Sequence, residues 1–478
     1  MSLLEWCLLP LGLAILVARI AVAAPTYYVD SVGGNDHGKG TSPEHAWQSL
    51  AKVNTTTFVP GSRILLKAGA VYQGCLRPRC SGQPGQPLVI DRWGDGAKPR
   101  LQGVILANVA QWEIHDLDLS GGSVGVLLQL KDFGVARHIH LVNLDIHDVR
   151  GNLRGDDSGI LATNSGETTW FEDFVIEGCT IRNVDRNGIL ITDYPGPTDK
   201  HRNRQVVIRN NQLTNLGGDG IFILACRGAV IEHNTVRYAH QRVGRRPGER
   251  ACAGIWPFRS EDTLIQFNEV SHTAVGGLTV WDSEAFDDDI GCHGTIFQYN
   301  YSHDNAGGFL LDCGGRGTIV RYNISQNDAT ATFTFESDNV GNVHIYNNTV
   351  YVSPKLKVEL VRNTFGKPAG VRFTNNLFAI AGEARYAFGH MGDVVFEHNA
   401  FGGRHVKRPA DTAAINGSPK LAAPGRGSNG FGSAVAYKLR PDSPCRGAGV
   451  TIDNCGGRDF WGIPVPPHAA PSVGACQD

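Results

Sequence analysis

An asparagine recurs in register along this chain, each time near the end of a short segment that alternates apolar and polar residues. Eight segments share it: Asn211, Asn234, Asn268, Asn300, Asn323, Asn348, Asn376 and Asn399. Successive asparagines are 23, 34, 32, 23, 25, 28 and 23 residues apart, so the shortest spacings give the bare repeat and the excess gives loops. The alternation is typical of strands, and a repeat of this length predicts a solenoid that grows along one axis.

A second short strand, usually opened by glycine, follows several of these segments. The second strands are GILIT (188–192), GIFIL (220–224), GIWPF (254–258), GLTVW (277–281) and GFLLD (308–312). We therefore predict an all-β protein, a right-handed parallel β-helix in which equivalent strands of successive coils pair. The asparagines are expected to stack as a side-chain ladder at one turn, which is a structural role.

Composition and patterning divide the chain into four parts. Charged residues are only 19%, glycine accounts for 59 of 478 residues, and the net charge of −2 does not point to nucleic acid or a membrane surface. Residues 1–24 resemble a signal peptide, which predicts a secreted or periplasmic protein; a membrane anchor is the alternative, but the apolar run is short for a span. We expect an N-terminal cap and first coils over 25–103, with a helix at about 43–53. Repeats then follow over 104–408, and a Cys/Pro/Gly-rich capping segment over 409–478.

Ten cysteines remain after the predicted signal peptide, and an even number in an exported chain suggests disulfide bonds. A zinc site is the alternative, but the sequence contains no CxxC pair, which argues against it. The candidate pairs are Cys75 with Cys80, Cys445 with Cys455, Cys226 with Cys252, and Cys292 with Cys313.

The two ends of the chain resemble those of a known group of proteins. YYVDSVGGNDHGKGTSPEHAWQSL (27–50) and AYKLRPDSPCRGAGV (436–450) are similar to the opening and closing segments of bacterial right-handed parallel β-helix proteins. Such proteins include pectate lyases, alginate lyases and epimerases, pectin esterases and several glycoside hydrolase families. The resemblance implies the fold, but the fold alone does not select the activity.

Acidic residues end the second strands of three successive coils. If Asp282, Asp312 and Glu336 stack, adjacent carboxylates lie roughly 5 Å apart and those two coils apart roughly 10 Å. The first separation suits a retaining glycosidase pair, and the second lies just beyond the inverting range. The alternative is that these acids only cap turns.

The densest acidic cluster is WDSEAFDDDIGCHG (281–294), where crowding raises carboxyl pKa values. It is also compatible with Ca²⁺ binding or with a solvated loop. EAFDDD (284–289) and YSHDNAGGFLLD (301–312) resemble β-helix proteins that include glycoside hydrolase family 141. That resemblance implies that an acid of the 287–289 run pairs with Asp312 as the catalytic acid and base.

Two basic loops, around 200–204 and 242–250, favour an acidic polysaccharide, because arginine binds carboxylates in a bidentate manner. A polysaccharide lyase or a uronate C5-epimerase needs such groups. Two tryptophans in the second strands are candidates for stacking on a sugar ring or for packing under a loop.

We therefore predict a secreted, polysaccharide-degrading glycoside hydrolase that requires no cofactor, with Ca²⁺ binding as an alternative. Its partner is an oligosaccharide or polysaccharide, with no nucleic acid or membrane partner. The candidate catalytic residues are Asp282, Asp287, Asp288, Asp289, Asp312 and Glu336. The candidate substrate-binding residues are Arg202, Arg242, Arg259, Trp256, Trp281, His272, His303 and Asp304. The alternatives are a lyase or epimerase that uses Arg259 or the two histidines, and a non-catalytic carbohydrate-binding solenoid.

Overall fold

The structure is a computed structural model that describes residues 24–151, 156–194, 202–242, 252–275 and 282–477. Nearly all of the predicted signal peptide, most of the two basic loops, the GLTVW segment and Trp281 lie outside the described residues. Among the residues that are described, no helix is long and apolar enough to cross a membrane.

The chain winds through three strand positions per coil, which we call faces 1, 2 and 3. Face 1 contains β1 (Thr26–Val29), β2 (Arg63–Lys67), β4 (Leu88–Trp93), β7 (Trp112–His115), β10 (Val135–Val142), β13 (Trp170–Glu177), β16 (Asn203–Arg209), β19 (Cys226–Arg227), β20 (Val230–Glu232), β23 (Leu264–Gln266), β26 (Ile296–Gln298), β29 (Ile319–Arg321), β32 (Gly341–Tyr346), β35 (Ala369–Thr374) and β37 (Gly392–Glu397).

Faces 2 and 3 belong to a second sheet. Face 2 contains β5 (Arg100–Leu101), β8 (Asp118–Ser120), β11 (Asp145–Val149), β14 (Thr180–Val184), β17 (Gln212–Leu216), β21 (Thr235–Arg237), β24 (Glu269–Ser271), β27 (Tyr301–His303), β30 (Ile324–Gln326), β33 (Thr349–Val352) and β39 (Ile415–Asn416). Face 3 contains β3 (Cys75–Leu76), β6 (Gly103–Ala107), β9 (Val126–Lys131), β12 (Ser158–Ser165), β15 (Asn187–Tyr194), β18 (Ile221–Leu224), β22 (Ile255–Phe258), β25 (Glu284–Asp288), β28 (Gly308–Asp312), β31 (Ala331–Phe335) and β34 (Lys357–Arg362). The long strands β36 (Leu377–Ala387) and β38 (Ala400–Val406) run across both faces.

Equivalent strands of successive coils pair in parallel, which confirms the predicted parallel β-helix. β16 pairs with β20, for example, through Val207–Val230 and Ile208–Ile231. Alternate residues of a strand point to opposite sides, so each face sends one set of apolar side chains into the interior. These side chains form a continuous hydrophobic core along the axis.

The asparagine ladder is present at the turn between faces 1 and 2. Along it, the Nδ2 of each asparagine donates to the Oδ1 of the asparagine one coil on, over 2.9–3.1 Å. The same Oδ1 also accepts the preceding asparagine's backbone N–H, as Asn300 does from Asn268. Asp411 closes the ladder by accepting from Asn399. The ladder is therefore structural, as predicted.

The N-terminal cap differs in detail from the single helix predicted at about 43–53. A 3-10 helix (Pro43–His45) and the helix α1 (Leu50–Thr55) are separated by extended residues. Trp47 pairs with Val29 in this gap, and Asp36 accepts the backbone N–H groups of Gln48 and Ser49. These contacts hold the segment extended, because its backbone groups are already bonded outside a helix.

One third-face strand lies at a different place from the prediction. The strand between β22 and β28 is β25, EAFDD, and not GLTVW (277–281). Its Phe286 is buried in the core against Phe297 and Phe309. Asp282 therefore precedes this strand instead of ending it, so the predicted stack of Asp282 with Asp312 and Glu336 does not form.

The closing segment packs along the outer side of face 2. It buries a stripe of tyrosines that includes Tyr301, whose hydroxyl donates to the carbonyl of Gly427 over 2.5 Å. The backbone N–H of Phe431 donates to Glu269. This flank is therefore covered by the chain itself.

No disulfide bond links the ten cysteines among the described residues, so the predicted pairs do not form. In two of these pairs the two cysteines lie in different environments. Cys292 is buried and hydrogen-bonds the interior carboxyl of Asp288, whereas Cys313 lines a cavity on the outer surface. Cys226 lies in the core, while Cys252 accepts a hydrogen bond from Arg186.

The ladder provides a stability test. Asn300→Ala removes two donated and two accepted buried hydrogen bonds. The backbone N–H of Asn268 loses its acceptor, and Oδ1 of Asn323 loses one of its two donors. We expect the free energy of unfolding to fall by about 2–4 kcal/mol in urea denaturation followed by circular dichroism.

Asn215→Ala is the matched control, because Asn215 also stacks on an asparagine, Asn183, but is exposed. We expect a loss below about 1 kcal/mol. An equal loss for the two variants would contradict a dominant contribution from the buried ladder.

Candidate active site

A cavity of about 420 Å³ opens on the outer surface of face 3, and we call it the acidic cavity. Its lining residues come from four successive coils, those of β25, β28, β31 and β34. They are Asp282, Leu311, Cys313, Glu336, Thr364 and Phe365.

Strand register decides which acids reach this cavity. Asp287 is paired with Leu311, which lines the cavity, so Asp287 belongs to the outward row. Asp288 is paired with Asp312, and Asp312 with Phe335, which lies in the core. Asp288 and Asp312 therefore point toward the interior.

The two interior acids are fully buried and hold the turn that leaves face 3. Asp312 accepts the backbone N–H groups of Gly314 and Gly315 at 3.2 and 2.8 Å. Asp288 accepts from the Thr318 hydroxyl at 2.5 Å. Burial raises the pKa of both carboxyls, most strongly that of Asp312. The structure does not bring Asp312 to the cavity, although sequence spacing selected it as half of the catalytic pair.

Asp282 and Asp289 are the partly exposed carboxyls of the 282–289 cluster. Burial, together with the charges of Asp289, Asp219 and Glu336, raises the pKa of Asp282 to about 7. Burial also raises the pKa of Asp289, to about 6. A carboxyl with a pKa near neutrality can hold a proton for transfer, and a neighbouring carboxyl with a lower pKa can remain ionised.

The Cys313 thiol lies among the carboxyl groups of the acidic cavity and of the 282–289 cluster. Burial raises its pKa, and the carboxylates of Asp287, Asp289, Asp282 and Glu336 raise it further. The thiol is therefore kept protonated, which disfavours a role as a nucleophile.

Glu336 is held in one orientation at the cavity wall. The Thr364 hydroxyl contacts its two carboxylate oxygens at 2.7 and 3.0 Å, and the backbone N–H of Phe365 donates to it at 3.1 Å. Its charge contributes to the raised pKa of Asp282. Glu336 is thus held in place close enough to influence Asp282.

Glu284 and Asp287 are more deeply buried members of the cluster. Burial raises the pKa of each well above its usual range, and Asp282 raises both further. Each has a carboxylate oxygen with no hydrogen-bond partner among the described residues, Oε2 of Glu284 and Oδ1 of Asp287. The raised pKa values favour the neutral, protonated form of both carboxyls.

The backbone before β25 is strained where it places Asp282. Ser283 has φ 108°, a value that side-chain-bearing residues rarely adopt. The His240 ring contacts its hydroxyl, and the Thr273 hydroxyl donates to its carbonyl, each over 2.5 Å. Contacts from two neighbouring turns therefore fix the direction of the adjacent Asp282.

Trp256 lies one coil before the acidic cluster and is committed to internal contacts. Its ring stacks on Phe222 with centroids 3.7 Å apart, and its indole N–H donates to Asp219 over 2.9 Å. Asp219 is fully enclosed beside Arg186 and also raises the pKa of Asp282. The indole face toward Phe222 is therefore covered, which favours packing over sugar stacking for this residue.

Two of the three predicted substrate-binding arginines bind groups of the chain itself. Arg202 is buried, pairs with Glu261 at 3.2 Å, and donates to the carbonyl of Arg259. Arg242 donates to Asn215 and to the carbonyl of Val184. The Arg259 side chain is exposed and lies over the Phe258 ring.

The predicted histidine site lies on another face. His303 contacts Asp304 at 2.9 Å and Glu269 at 3.4 Å, beneath the closing segment. Burial lowers the pKa of His303, but these two carboxylates outweigh it and raise the pKa to about 9. His272 contacts the His303 ring edge-on. These three predicted residues are therefore separated from the acidic cavity, and Asp304 binds the C-terminal segment through the hydroxyl of Ser428.

Sequence reasoning missed Cys313, Thr364, Phe365, Asp219 and Ser283. The only signal for Thr364 and Phe365 is their position just after β34, one coil beyond Glu336. The strained Ser283 and the enclosed Asp219 have no local signature, because their partners come from other coils.

Comparisons with known proteins agree with this architecture. The family model described as a right-handed beta helix region matches residues 158–350. These residues form a right-handed β-helix. The predicted resemblance to bacterial β-helix proteins is confirmed, whereas the finer resemblance to glycoside hydrolase family 141 stays a prediction.

The β-helix is similar to lacto-N-biosidases. The lacto-N-biosidase of Bifidobacterium longum subsp. longum is 30% identical over 76% of this chain. The match covers 29% of that relative, so the chain spans less than a third of its length. A GH136 lacto-N-biosidase from Eubacterium ramulus superposes with a TM-score of 0.63 at 24% identity, over 72% of this chain and 67% of that protein. The complex of XylC with xylose superposes with a TM-score of 0.56 at 11% identity, over 94% and 98%. The two superpositions show the fold alone.

The buried acids make stability depend on pH. Because the folded-state pKa of Asp287 is raised, the folded chain holds more protons than the unfolded chain, and stability falls as pH rises from about 4. We expect Asp287→Asn to raise the free energy of unfolding by about 1–3 kcal/mol at about pH 8. The gain should disappear below about pH 4, where the wild-type Asp287 carboxyl is protonated in the folded chain and in the unfolded chain.

Thermal melting of the two proteins across this pH range measures the effect, with the exposed Asp453→Asn as the control. A gain that is independent of pH would contradict the explanation by charge.

Proposed function

We propose that this chain is a glycoside hydrolase whose catalytic pair is Asp282 and Asp289. The observation that carries the proposal is the presence of two partly exposed carboxyls in one cluster on the outer surface of a β-helix. Their pKa values are about 7 and about 6. Hydrolysis of a glycosidic bond needs one protonated and one ionised carboxyl.

Asp282 is the general acid in this proposal, because it has the higher pKa and retains its proton near neutrality. It protonates the oxygen of the leaving group. Asp289 remains ionised and either attacks the anomeric carbon or activates a water molecule. The fixed charge of Glu336 favours the protonated form of Asp282. The contacts of His240 and Thr273 with Ser283 hold the backbone next to Asp282 in place.

The lacto-N-biosidase likeness supports a glycan substrate. The relative is named a lacto-N-biosidase, a glycosidase name, and it is 30% identical over 76% of this chain. Because the match covers less than a third of the relative, we extend only the reaction class. We propose an oligosaccharide or complex polysaccharide as the substrate, acted on outside the cytoplasm, with no required cofactor.

A polysaccharide lyase or uronate epimerase is the second candidate, and exposed Arg259 is the observation that favours it. Arg202 and Arg242 bind groups of the chain itself, which leaves fewer cations for a uronate carboxylate. A non-catalytic carbohydrate-binding solenoid is the third candidate. It does not require carboxyl groups with raised pKa values.

The first test is incubation of the protein with chromogenic lacto-N-bioside and with neutral and acidic polysaccharides, with and without a chelator. We expect new reducing ends without ultraviolet absorbance from unsaturated uronates, and no effect of the chelator. We expect Asp282→Asn and Asp289→Asn each to lower kcat/KM about 10²–10⁴-fold, because each removes a proton-transfer or nucleophilic group.

Asp338→Asn is the control, because Asp338 is an exposed acid two residues from Glu336. Rising absorbance that requires a cation would overturn the hydrolase proposal in favour of a lyase. Binding without turnover of any substrate would favour the non-catalytic solenoid.

The pH profile separates the roles of the two acids. We expect kcat/KM to decline below about pH 6, where Asp289 takes up a proton, and above about pH 7, where Asp282 loses its proton. Glu336→Gln removes a negative charge near Asp282 and lowers its pKa, so the alkaline limb should move to lower pH. The acid limb should stay in place. An alkaline limb that does not move would contradict the assignment of Asp282 as the acid.

A further inference from the structure

A second cluster of ionisable side chains lies on the outer surface of face 1, away from the acidic cavity. Glu113 comes from β7, His138 and His140 come from β10, and Asp173 comes from β13. Glu113 and His140 are direct partners in the register of adjacent coils. The neighbouring residues Ile139 and Leu141 point into the core, so His138 and His140 both point outward.

The donor atoms of this cluster converge. One ligand atom each of Glu113, His138 and His140 lies within 4.8 Å of the others. Nε2 of His138 is 3.0 Å from Oε1 of Glu113, and the two imidazole centroids are 4.0 Å apart. Each of the three side chains is about a quarter exposed, so an ion can enter from solvent while the strands limit their movement.

We propose that Glu113, His138 and His140 bind one divalent transition metal ion of the zinc class. Two imidazoles and one carboxylate are a common ligand set for such ions, whereas Ca²⁺ prefers oxygen ligands alone. A tetrahedral ion with bonds of about 2.1 Å holds its donors about 3.4 Å apart, which small side-chain rotations reach from the observed spacing. The fourth position is open to water.

Asp173 supplies the outer support that metal-binding histidines usually have. Its Oδ2 contacts Nδ1 of His138 at 2.8 Å, which leaves Nε2 of the same ring for the ion. Its Oδ1 contacts Nε2 of His140 at 3.0 Å. A carboxylate that holds both rings fixes their orientation and raises their basicity as ligands.

The ion would connect neighbouring coils. Glu113 and the two histidines lie on adjacent coils, and Asp173 extends the cluster to a third. Binding to the folded chain stabilises it by mass action, because the unfolded chain does not hold these groups together. The site is on a different face from the acidic cavity and does not depend on the proposed hydrolase activity.

The test uses the tag-free protein, stripped of metal, and adds Zn²⁺ or Co²⁺. We expect one equivalent to bind, a saturable rise in Tm with Zn²⁺, no rise with Ca²⁺, and visible absorption typical of Co²⁺ with nitrogen ligands. His138→Ala and His140→Ala should each lower the affinity at least 10-fold. Glu113→Gln retains the shape of the side chain, so it provides the same test if a histidine variant fails to fold.

His147→Ala is the matched control, because His147 also contacts two carboxylates, Asp118 and Asp148 at 2.8 and 2.7 Å, but belongs to no three-ligand group among the described residues. It should bind metal like the wild type. The proposal is overturned if the wild type binds neither ion, or if the face 1 variants bind as well as the control. In either case His138 is only a charged bridge between Glu113 and Asp173. Glycan hydrolysis measured in parallel tests the other proposal separately.

Discussion

The buried asparagine ladder is the interaction on which the rest of the structure depends. A turn that leaves a sheet has backbone groups without strand partners, and burying them unpaired is costly. The side-chain oxygen of each asparagine accepts the backbone N–H and the side-chain amide N–H of the preceding asparagine, as Asn300 does from Asn268. Its own side-chain amide N–H donates to the next asparagine, as Asn300 does to Asn323. The coil thus turns at the same place each time. Because the turn is fixed, the three faces keep one register over many coils.

That register determines the chemistry of the outer surface. Asp287 and Asp288 are adjacent in sequence, yet one belongs to the outward row and the other points into the solenoid. Interior acids are available only for turn formation, as Asp312 shows with its two backbone donors. The acids with access to a ligand are those that leave the strand at either end. Both members of the proposed pair, Asp282 and Asp289, flank β25.

The sequence predicted the fold more completely than the site. Repetition reveals the period directly, because the asparagine needs the same neighbours in every coil. The sequence also located the acidic cluster, from its density of carboxyl groups, and Glu336, from its place at the end of a second strand. The strand within that cluster could not be identified, because GLTVW has the stronger apolar pattern, whereas EAFDD has a single large apolar residue, Phe286. The contact that fixes Ser283 comes from His240, in another coil. The face 1 histidines lie in a segment without the repeated asparagine, and their partners Glu113 and Asp173 come from neighbouring coils.

The covered flank has a consequence for the order of assembly. Glu269 and Phe431 are 162 residues apart, and the tyrosine stripe that includes Tyr301 is buried by residues of the closing segment. The coils pair with their immediate neighbours and can therefore form in sequence from the N-terminus during synthesis. The tyrosine stripe, in contrast, stays open to solvent until the closing segment has been made and has folded back. Before that point the coils present an exposed aromatic surface to other chains, so the closing segment shields the stripe from intermolecular contact.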